Sequence, residues 1–222
     1  LPHLLSKALT GRSGWPRRFL GGATWVVGAR PKLSGAPIRP HSLLISNHVS
    51  WLDILVLGAT TGCAFVSKDS LGHGLIHWLA DQNHTLYIRR DHRKGAKDQA
   101  LAIAARLDRE QPVALFPEGT TGPGDRLLPF RSTLLEAAAH ASSDVEIRPV
   151  ALDYGAASPE IGWYGEPGRD NVLRILNRRG TLPVTVRVLP PISAADRKSL
   201  TQAARAAIEA ALPASSSPPA GL

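Results

Sequence analysis

Two residues of this chain, His48 and Asp53, have the types and the spacing for acid–base chemistry. A histidine acts as a general base near neutral pH, because the ordinary pKa of its imidazole is about 6.5. The imidazole works better when a carboxylate holds one ring nitrogen and stabilises the imidazolium that forms. His48 and Asp53 are therefore candidates for a base and the carboxylate that orients it.

The geometry of this pair depends on where the following helix begins. On one straight helix, five positions would place the two side chains about 140° apart, so they would not share a face. They meet if His48 lies in the turn before the helix and Asp53 lies in its first turn. Ser50 supports this placement, because Ser50-x-x-Asp53 resembles a capping box with Ser50 as N-cap and Asp53 near N3. The alternative is that Asp53 only caps a helix and that His48 is an ordinary turn residue.

The chain offers no nucleophile of its own for this pair to activate. It contains no Gly-x-Ser-x-Gly motif, which carries the nucleophilic serine of the α/β-hydrolases. The base would therefore act on a hydroxyl group that arrives with the substrate. Two other histidines, His73 and His77, are spaced for one helix face, but no clear third ligand accompanies them, so we predict no metal site.

Two apolar runs predict the strands that position the polar motifs. Leu43–Ile45 comes just before Asn47-His48, and Val113–Leu115 comes directly before the stretch 116–122, which reads Phe-Pro-Glu-Gly-Thr-Thr-Gly. Short apolar runs of this kind are typical of buried strands. Two strand ends that each open into a polar motif indicate an α/β sheet with an active site on its loops.

The rest of the chain alternates between strand and helix patterns, which favours a mostly parallel or mixed central sheet flanked by helices. The predicted strands are Ser42–Ser46, Cys63–Ser67, Thr85–Ile88, Val113–Phe116, Val145–Tyr154 and Val184–Leu189. The predicted helices are Trp51–Ala59, Leu75–Ala80, Lys94–Arg109, Ser132–His140 and Ala194–Leu212. The Ser/Pro/Gly-rich tail at 213–222 is predicted to be disordered.

The net charge of +8 is concentrated near the beginning of the chain. Residues 1–52 contain no Asp or Glu, and they carry the cations Lys7, Arg12, Arg17, Arg18, Arg30, Lys32 and Arg39. A nucleic-acid-binding domain would spread basic and aromatic residues along one face. Here the acid-free stretch lies almost wholly outside the part that carries the motifs, so we predict no nucleic-acid partner.

The same stretch is rich in Trp, Phe and Leu, and this mixture suits the surface of an anionic bilayer. No run reaches the ~20 apolar residues needed to span a membrane. We therefore predict a basic amphipathic, membrane-contacting helical segment at 1–40, a catalytic domain at 41–212 and the disordered tail. The alternative for 1–40 is a basic, solvated helix pair that packs on the domain.

Four motifs resemble those of the glycerolipid acyltransferases. Asn47–Asp53 resembles the NHxxxxD motif of that family, and Phe116–Thr120 resembles its FPEGT motif. Leu86–Arg90 resembles the apolar strand that ends in arginine, and Ile147–Ala151 resembles the late strand with a central proline. The match runs from about residue 42 to 192 and is closest to the bacterial 1-acylglycerol-3-phosphate acyltransferases. Four motifs in order are far more specific than any one of them.

The resemblance implies a reaction and the residues that perform it. His48 would deprotonate the free hydroxyl of a lysolipid, and Asp53 would orient His48. The hydroxyl oxygen would attack an acyl thioester carried by coenzyme A or acyl carrier protein, with no cofactor beyond that donor. With 1-acylglycerol-3-phosphate as acceptor, the product would be the phosphatidic acid of phospholipid biosynthesis. Thioester donors are cytoplasmic, which predicts the cytoplasmic face of the bacterial inner membrane, either peripherally or through an anchor before residue 1.

The resemblance also implies an acceptor site. Arg90 matches the arginine of the second motif and would bind the phosphate of the acceptor. Glu118, Gly119 and Thr120 match the third motif and would shape the acceptor site. Backbone N–H groups around Gly119 would suit anionic oxygens, as in other glycine-rich turns.

The chain departs from the family pattern at the third motif and the second. Thr121 and Gly122 stand where the family often has Arg-Ser, and Arg89 replaces the usual aspartate. Arg126 and Arg131 are candidates to replace the missing phosphate-binding arginine. The alternative acceptor is a lysolipid without phosphate, such as lyso-ornithine lipid. A second alternative is a lipid-binding protein of the same fold without turnover, although such a protein is expected to have a damaged His–Asp pair.

Overall fold

The computed structural model describes residues 14–68, 86–88, 111–136, 144–193 and 196–213. Seven strands in these ranges form one mixed sheet in the order β1-β7-β6-β2-β5-β3-β4. The strands are β1 Ala29–Gly35, β2 Ser42–Ser46, β3 Ala64–Lys68, β4 Leu86–Ile88, β5 Val113–Leu115, β6 Glu146–Asp153 and β7 Leu182–Val188. Every neighbouring pair is parallel except β6 and β7, which are antiparallel. The predicted α/β class with a mixed central sheet is confirmed.

The described helices flank this sheet. They are α1 Trp15–Val26, α2 Leu52–Thr61, α3 Ser158–Ile161, α4 Gly168–Leu176 and α5 Arg197–Ala211. Single turns of 3-10 helix lie at Ser132–Leu135 and Gly155–Ala157. Asp196 caps α5 by accepting hydrogen bonds from the N–H groups of Lys198 and Ser199.

The central strand β2 is buried on both faces of the sheet. Leu44 packs in a core cluster with Leu52 and Val56 of α2, whereas Leu43 and Ile45 pack in a second cluster with α5. Burial on both faces explains why the strand is a continuous apolar run rather than an alternating pattern. It is also why the sequence predicts Ser42–Ser46 with the bounds that the structure has.

The parallel pairing of β2 with β5 and β6 brings three loops to one edge of the sheet. The carboxyl ends of these strands lead into Asn47-His48, into Phe116–Gly122 and into Tyr154. Ligand sites of open α/β sheets lie at this edge. The topology therefore places both polar motifs together and adds a residue that follows β6.

Several predicted elements differ from the observed ones at their ends. The helix predicted at Trp51–Ala59 runs Leu52–Thr61, and it ends at Gly62, which has a φ of 70° that favours glycine. The last strand, predicted at Val184–Leu189, runs Leu182–Val188, so Pro183 lies inside it. The helix predicted at Ser132–His140 begins as a 3-10 turn.

Strand β1 and the helices α3 and α4 were not predicted. Strand β1 lies within the segment predicted at 1–40, and it pairs along its whole length with β7. Helix α4 follows Pro167 and buries Asn171 and Ile175. The helices predicted at 75–80 and 94–109 lie outside the described residues.

Helix α1 packs on α2, and Arg17 ties the two together. The guanidinium of Arg17 donates to the carbonyl oxygens of Ala59 and Thr60 at 3.0 and 2.7 Å. Phe19 and Trp25 of α1 are largely exposed, at 51% and 65%. No helix in the described ranges is both long and apolar enough to cross a membrane.

Candidate active site

His48 and Asp53 meet at the start of α2. Nδ1 of His48 lies 2.8 Å from Oδ2 of Asp53. His48 precedes the helix and Asp53 lies in its first turn, so the geometry expected from the sequence is confirmed. Asp53 is fully buried, and the side chain of His48 is 17% exposed.

The carboxylate of Asp53 also organises the turn between the two residues. Its Oδ2 accepts hydrogen bonds from the N–H groups of Val49 and Ser50 at 2.6 and 3.0 Å. The hydroxyl of Ser50 in turn accepts from the N–H of Leu52 at 3.1 Å. Only half of the predicted capping box is therefore present: Asp53 accepts from the N–H of Ser50, but the hydroxyl of Ser50 bonds to Leu52 rather than to Asp53, and α2 has Trp51 as its N-cap. The negative charge lies at a helix N-terminus, where the helix dipole stabilises it.

The hydrogen bonds of Asp53 assign the tautomer of His48. Oδ2 already accepts two backbone N–H groups, so it is an acceptor and the proton lies on Nδ1 of His48. Nε2 then carries a lone pair. Within the described ranges Nε2 forms no hydrogen bond, and His48 lines a cavity. This arrangement suits proton abstraction from a group that enters the cavity.

Tyr154 is a partner of Asp53 that the sequence analysis missed. Its buried hydroxyl donates to Oδ1 of Asp53 at 2.6 Å. Burial raises the pKa of Tyr154 well above 10, and the negative charge of Asp53 raises it further. The phenol is therefore neutral and remains a donor. No local pattern indicates this contact, because the two residues are 101 positions apart.

The main chain of His48 is held at both ends by the loop that follows β5. Its N–H donates to Oε1 of Glu118 at 2.7 Å, and its carbonyl accepts from the N–H of Gly122 at 2.7 Å. Oε2 of Glu118 accepts from the N–H of Leu128 at 2.9 Å. A Cβ at Gly122 would lie 3.3 Å from Oε2 of Glu118. Glycine at 122 therefore permits the close approach of the two loops.

Glu118 is a buried carboxylate with a perturbed acidity. Burial raises its pKa to about 7, against the lowering effect of its hydrogen bonds from the N–H groups of His48 and Leu128. Both carboxylate oxygens are engaged by backbone donors. The structure thus gives Glu118 a positioning function in the loop, and its expected contact with the acceptor remains a prediction.

The ring of His48 rests on Phe116. The two ring centroids are 4.0 Å apart and the rings are nearly parallel, at 13°. Phe65 lies behind Phe116 in a second, looser stack at 6.3 Å. The flat face of Phe116 limits the rotation of the imidazole about its side-chain torsions.

Asn47 joins the same turn to β6. Its amide donates to the carbonyl of Leu152 at 3.0 Å, and its side-chain oxygen accepts from the N–H of Leu152 at 2.8 Å. The side-chain amide of Asn47 therefore pairs with the main chain of Leu152 in the way that a residue of a neighbouring strand would. The contact fixes the end of β6, from which Tyr154 projects, relative to the turn that carries His48.

The cavity next to His48 has a volume of about 420 Å³. Its charged lining, besides His48, consists of Glu118, Asp125, Arg126 and Asp153. Arg126 pairs with the neighbouring Asp125 at 3.2 Å. Asp153 pairs with Arg187 of β7 at 2.7 Å.

The remaining sequence-predicted binding residues have different positions. Gly119 has a φ of 73°, which glycine tolerates, and Thr120 is exposed beside it. Arg131 is exposed and its N–H donates to the carbonyl of Pro117, but it does not belong to the cavity lining. Arg90 lies outside the described residues, as do the histidines at 73 and 77.

Comparison with known proteins finds acyltransferases. Residues 31–153 match the family model described as Acyltransferase. A lyso-ornithine lipid O-acyltransferase of Rhodobacter capsulatus is 33% identical, over 84% of this chain and 71% of its own length. A 1-acyl-sn-glycerol-3-phosphate acyltransferase of Neisseria gonorrhoeae is 35% identical, over 54% of this chain and 47% of its own length.

A solved structure has the same fold. The 1-acyl-sn-glycerophosphate acyltransferase of Thermotoga maritima superposes with a TM-score of 0.68 at 17% identity, over 89% of this chain and 76% of its own. The family match spans more than half of the chain and includes both the His48–Asp53 turn and the Glu118 loop. The chain therefore belongs to the acyltransferase family and is an O-acyltransferase.

Proposed function

We propose that this protein transfers a fatty acyl chain from a thioester of coenzyme A or acyl carrier protein to the hydroxyl of lyso-ornithine lipid. The observation that carries the reaction is the His48–Asp53 pair at the cavity, with the proton on Nδ1 and a free lone pair on Nε2. No cofactor or metal takes part in the proposed reaction. The choice of acceptor is argued separately, from the charges of the cavity and from the similar proteins.

The proposed step moves one proton and exchanges one bond. Nε2 of His48 takes the proton of the acceptor hydroxyl while the oxygen attacks the carbonyl carbon of the thioester. A C–O bond forms, the C–S bond breaks, and the thiolate leaves. The imidazolium, stabilised by Asp53 and by the face of Phe116, gives its proton to the leaving thiolate, which becomes the free thiol. No acyl-enzyme is needed, so buried Cys63 has no part in the reaction.

The charges of the cavity favour a zwitterionic headgroup. Arg126 is paired with Asp125, Asp153 is paired with Arg187, and Glu118 is a third carboxylate. With Arg187 counted beside the lining there are three carboxylates and two arginines, so the described lining has no excess of cations. A phosphate monoester carries nearly two negative charges at neutral pH, whereas the ornithine headgroup carries one carboxylate and one ammonium. A lining without an excess of cations suits the second headgroup better.

The relatives support the same acceptor. Lyso-ornithine lipid O-acyltransferases of Rhodobacter capsulatus and Pseudomonas aeruginosa are similar over 84% and 82% of this chain. The Neisseria relative is similar over 54%. The absence of the third-motif arginine, where the chain has Thr121, points in the same direction.

The second candidate acceptor is 1-acylglycerol-3-phosphate. It is favoured by the arginine of the second motif, Arg90, and by the Neisseria relative, which bears that activity in its name. With this acceptor the product would be phosphatidic acid. Arg90 and Arg131 would then be the first residues to test for phosphate binding.

We also propose that the protein works on an anionic membrane at the cytoplasmic face of the bacterial inner membrane. Trp25 and Phe19 of α1 are exposed, and cations lie beside them: Arg30 stacks on Trp25 at 5.1 Å. Apolar side chains flanked by arginines suit the headgroup region of an anionic bilayer. A lysolipid acceptor resides in that layer, so this contact would bring the enzyme to its substrate.

The test is acyl transfer by membranes that contain the full chain, with labelled oleoyl thioester and the two acceptors in parallel. We expect acylated ornithine lipid from the native protein and none from His48→Ala. His41→Asn is the matched control, because His41 lies outside the cavity lining and asparagine tolerates its φ of 59°. Product from 1-acylglycerol-3-phosphate alone would replace the proposed acceptor by the second candidate. No product from either acceptor would favour lipid binding without turnover.

A further inference from the structure

We infer that Tyr154 is a positioning residue for acyl transfer, whose hydroxyl supplies the donor for Oδ1 of Asp53 and thereby keeps the proton of His48 on Nδ1. The inference rests on the proposed role of His48 as base. Tyr154 follows β6, lies outside all four sequence motifs and is 2% exposed. Its hydroxyl is 2.6 Å from Oδ1 of Asp53.

The two oxygens of Asp53 have unequal sets of partners. Oδ2 accepts from the backbone N–H groups of Val49 and Ser50 and from Nδ1 of His48. Oδ1 accepts from Tyr154. In the described part of the chain no lysine or arginine pairs with this fully buried carboxylate. Tyr154 thus supplies the hydrogen bond that satisfies Oδ1.

Loss of that hydrogen bond has a chemical consequence at His48. A buried carboxylate oxygen without a donor is costly, and protonation of Asp53 removes the cost. A protonated carboxyl group on Asp53 could donate to Nδ1 of His48, and the imidazole proton would then lie on Nε2. In that tautomer the nitrogen that faces the cavity has no lone pair, so the base is lost.

The surroundings hold Tyr154 in place and leave it neutral. Asn47 bonds both polar groups of the Leu152 main chain, two positions before Tyr154. Asp153, between them, pairs with Arg187. Burial and the charge of Asp53 raise the pKa of Tyr154 well above 10, so the phenol donates throughout the working pH range.

The titratable groups that face Asp53 must be considered together in any pH experiment. They are His48 and Tyr154, which bond to it, and Glu118, whose pKa is raised chiefly by burial and slightly by the charge of Asp53. The pair of Asp153 and Arg187 lies on the strands next to Tyr154. Only substitutions that change the hydroxyl of Tyr154 alone can therefore show the effect of Tyr154 on the pH–rate profile.

Two substitutions at this position have opposite expected effects. Tyr154→Phe keeps the ring in the core and removes the donor, so ionised Asp53 is less stable. We expect kcat to fall about ten- to a hundredfold with little change in KM, and the acid limb of the pH–rate profile to move up by about one pH unit. Replacement of Tyr154 by 3-fluorotyrosine makes the phenol a stronger donor, and we expect the acid limb to move down.

Thr201→Val is the matched control for the loss of a buried hydroxyl. Thr201 is 7% exposed, and its hydroxyl donates to the carbonyl of Arg197 within α5. We expect this variant to lose similar stability and to keep the native pH profile. If Tyr154→Phe and the 3-fluorotyrosine protein both keep the native profile and kcat, the inference is wrong and Tyr154 only fills the core.

A spectroscopic measurement separates this inference from the proposed function. The imidazole nitrogen NMR shifts of His48 report its tautomer without any substrate. We expect a proton on Nδ1 in the native protein and a loss of that preference in Tyr154→Phe. An unchanged tautomer in the variant would overturn the inference even where acyl transfer is observed. An altered tautomer would support it even if the acceptor proves to be a different lysolipid.

Discussion

The backbone N–H of His48 donates to Oε1 of Glu118 at 2.7 Å. The proposed base is therefore held by its main chain as well as through its ring. Gly122 completes the hold on the other side, with its N–H on the carbonyl of His48. The two polar motifs, 70 positions apart at His48 and Glu118, form one structural unit.

Substitution of Glu118 should lower kcat more than it raises KM. Glu118→Ala removes both acceptors, and we expect kcat to fall about a hundredfold because the turn with His48 loses its support. Glu118→Gln keeps one acceptor oxygen, and we expect a loss of about tenfold. Steady-state kinetics with varied acceptor is the measurement. A raised KM with native kcat would instead indicate direct contact between Glu118 and the acceptor.

Glu118 should also make stability depend on pH. Burial raises its folded-state pKa from 4.5 to about 7, so between these values the folded protein binds a proton that the unfolded chain has released. The contribution of Glu118 to the free energy of unfolding is full below about pH 4.5 and is lost as the pH rises through about 7. Relative to Glu118→Gln, the free energy of unfolding of the native protein should fall by up to about 3 kcal/mol over that range.

Denaturant unfolding of the native protein and Glu118→Gln across this pH range checks the expectation. Most other titrating groups are present in both proteins, so their contributions cancel in the difference between the two free energies of unfolding. A difference in the free energy of unfolding that stays constant with pH would show that Glu118 titrates at its ordinary pKa.

Phe116→Leu should impair the base while the fold remains intact. The substitution keeps a large apolar side chain but removes the flat surface 4.0 Å from the imidazole. We expect kcat to fall about three- to tenfold. Phe65→Leu is the matched control, since Phe65 is buried but stacks on Phe116 rather than on His48. Equal kcat values for the two variants would contradict the proposed contribution of the stack.

Trp25→Ser should weaken binding to anionic vesicles. Trp25 is 65% exposed on α1, so its loss should not disturb the core. We expect the vesicle partition coefficient to fall about tenfold and the melting temperature to stay the same. Co-sedimentation with vesicles that contain phosphatidylglycerol measures the first quantity.

Leu176→Ser is the control for this measurement. Leu176 is 53% exposed at the end of α4, a helix that is distinct from α1. If both variants lose vesicle binding equally, binding is not specific to α1. If neither loses it, α1 does not contact the membrane.

The parts of the site that are local in sequence were predictable. The turn from His48 to Asp53 spans few residues, and the pattern Ser50-x-x-Asp53 marks the start of α2, where the N–H of Ser50 donates to Asp53. The order of the motifs predicted the family and the sheet that carries them. These signals depend on neighbouring residues, which a sequence displays directly.

The rest of the site depends on contacts between distant residues. Tyr154 is 101 positions from Asp53, and Leu152 is 105 positions from Asn47. Each partner alone looks like an ordinary core or strand residue. Their meeting follows from the parallel pairing of β2 with β6, and spacing along the chain does not reveal that register.

Strand β1 was missed for a different reason. Its sequence contains Pro31, Lys32 and Gly35, all of which are unusual inside a central strand. At the edge of a sheet these residues are tolerated, and proline and lysine there discourage pairing with other chains. The basic and apolar residues around β1 favour a membrane-contacting segment, and the pattern of the segment gives no separate signal for the edge strand.

The pairing of β1 with β7 also has a consequence for the order of events during protein synthesis. Ser34 and its neighbour Val186 are 152 residues apart. A ribosome must therefore make most of the domain before β1 can pair with β7. Until β7 has been made, β1 has no partner strand. Contacts of such high sequence separation form late and slowly. Among the described strands, β1 thus comes first in the chain but is one of the last to pair.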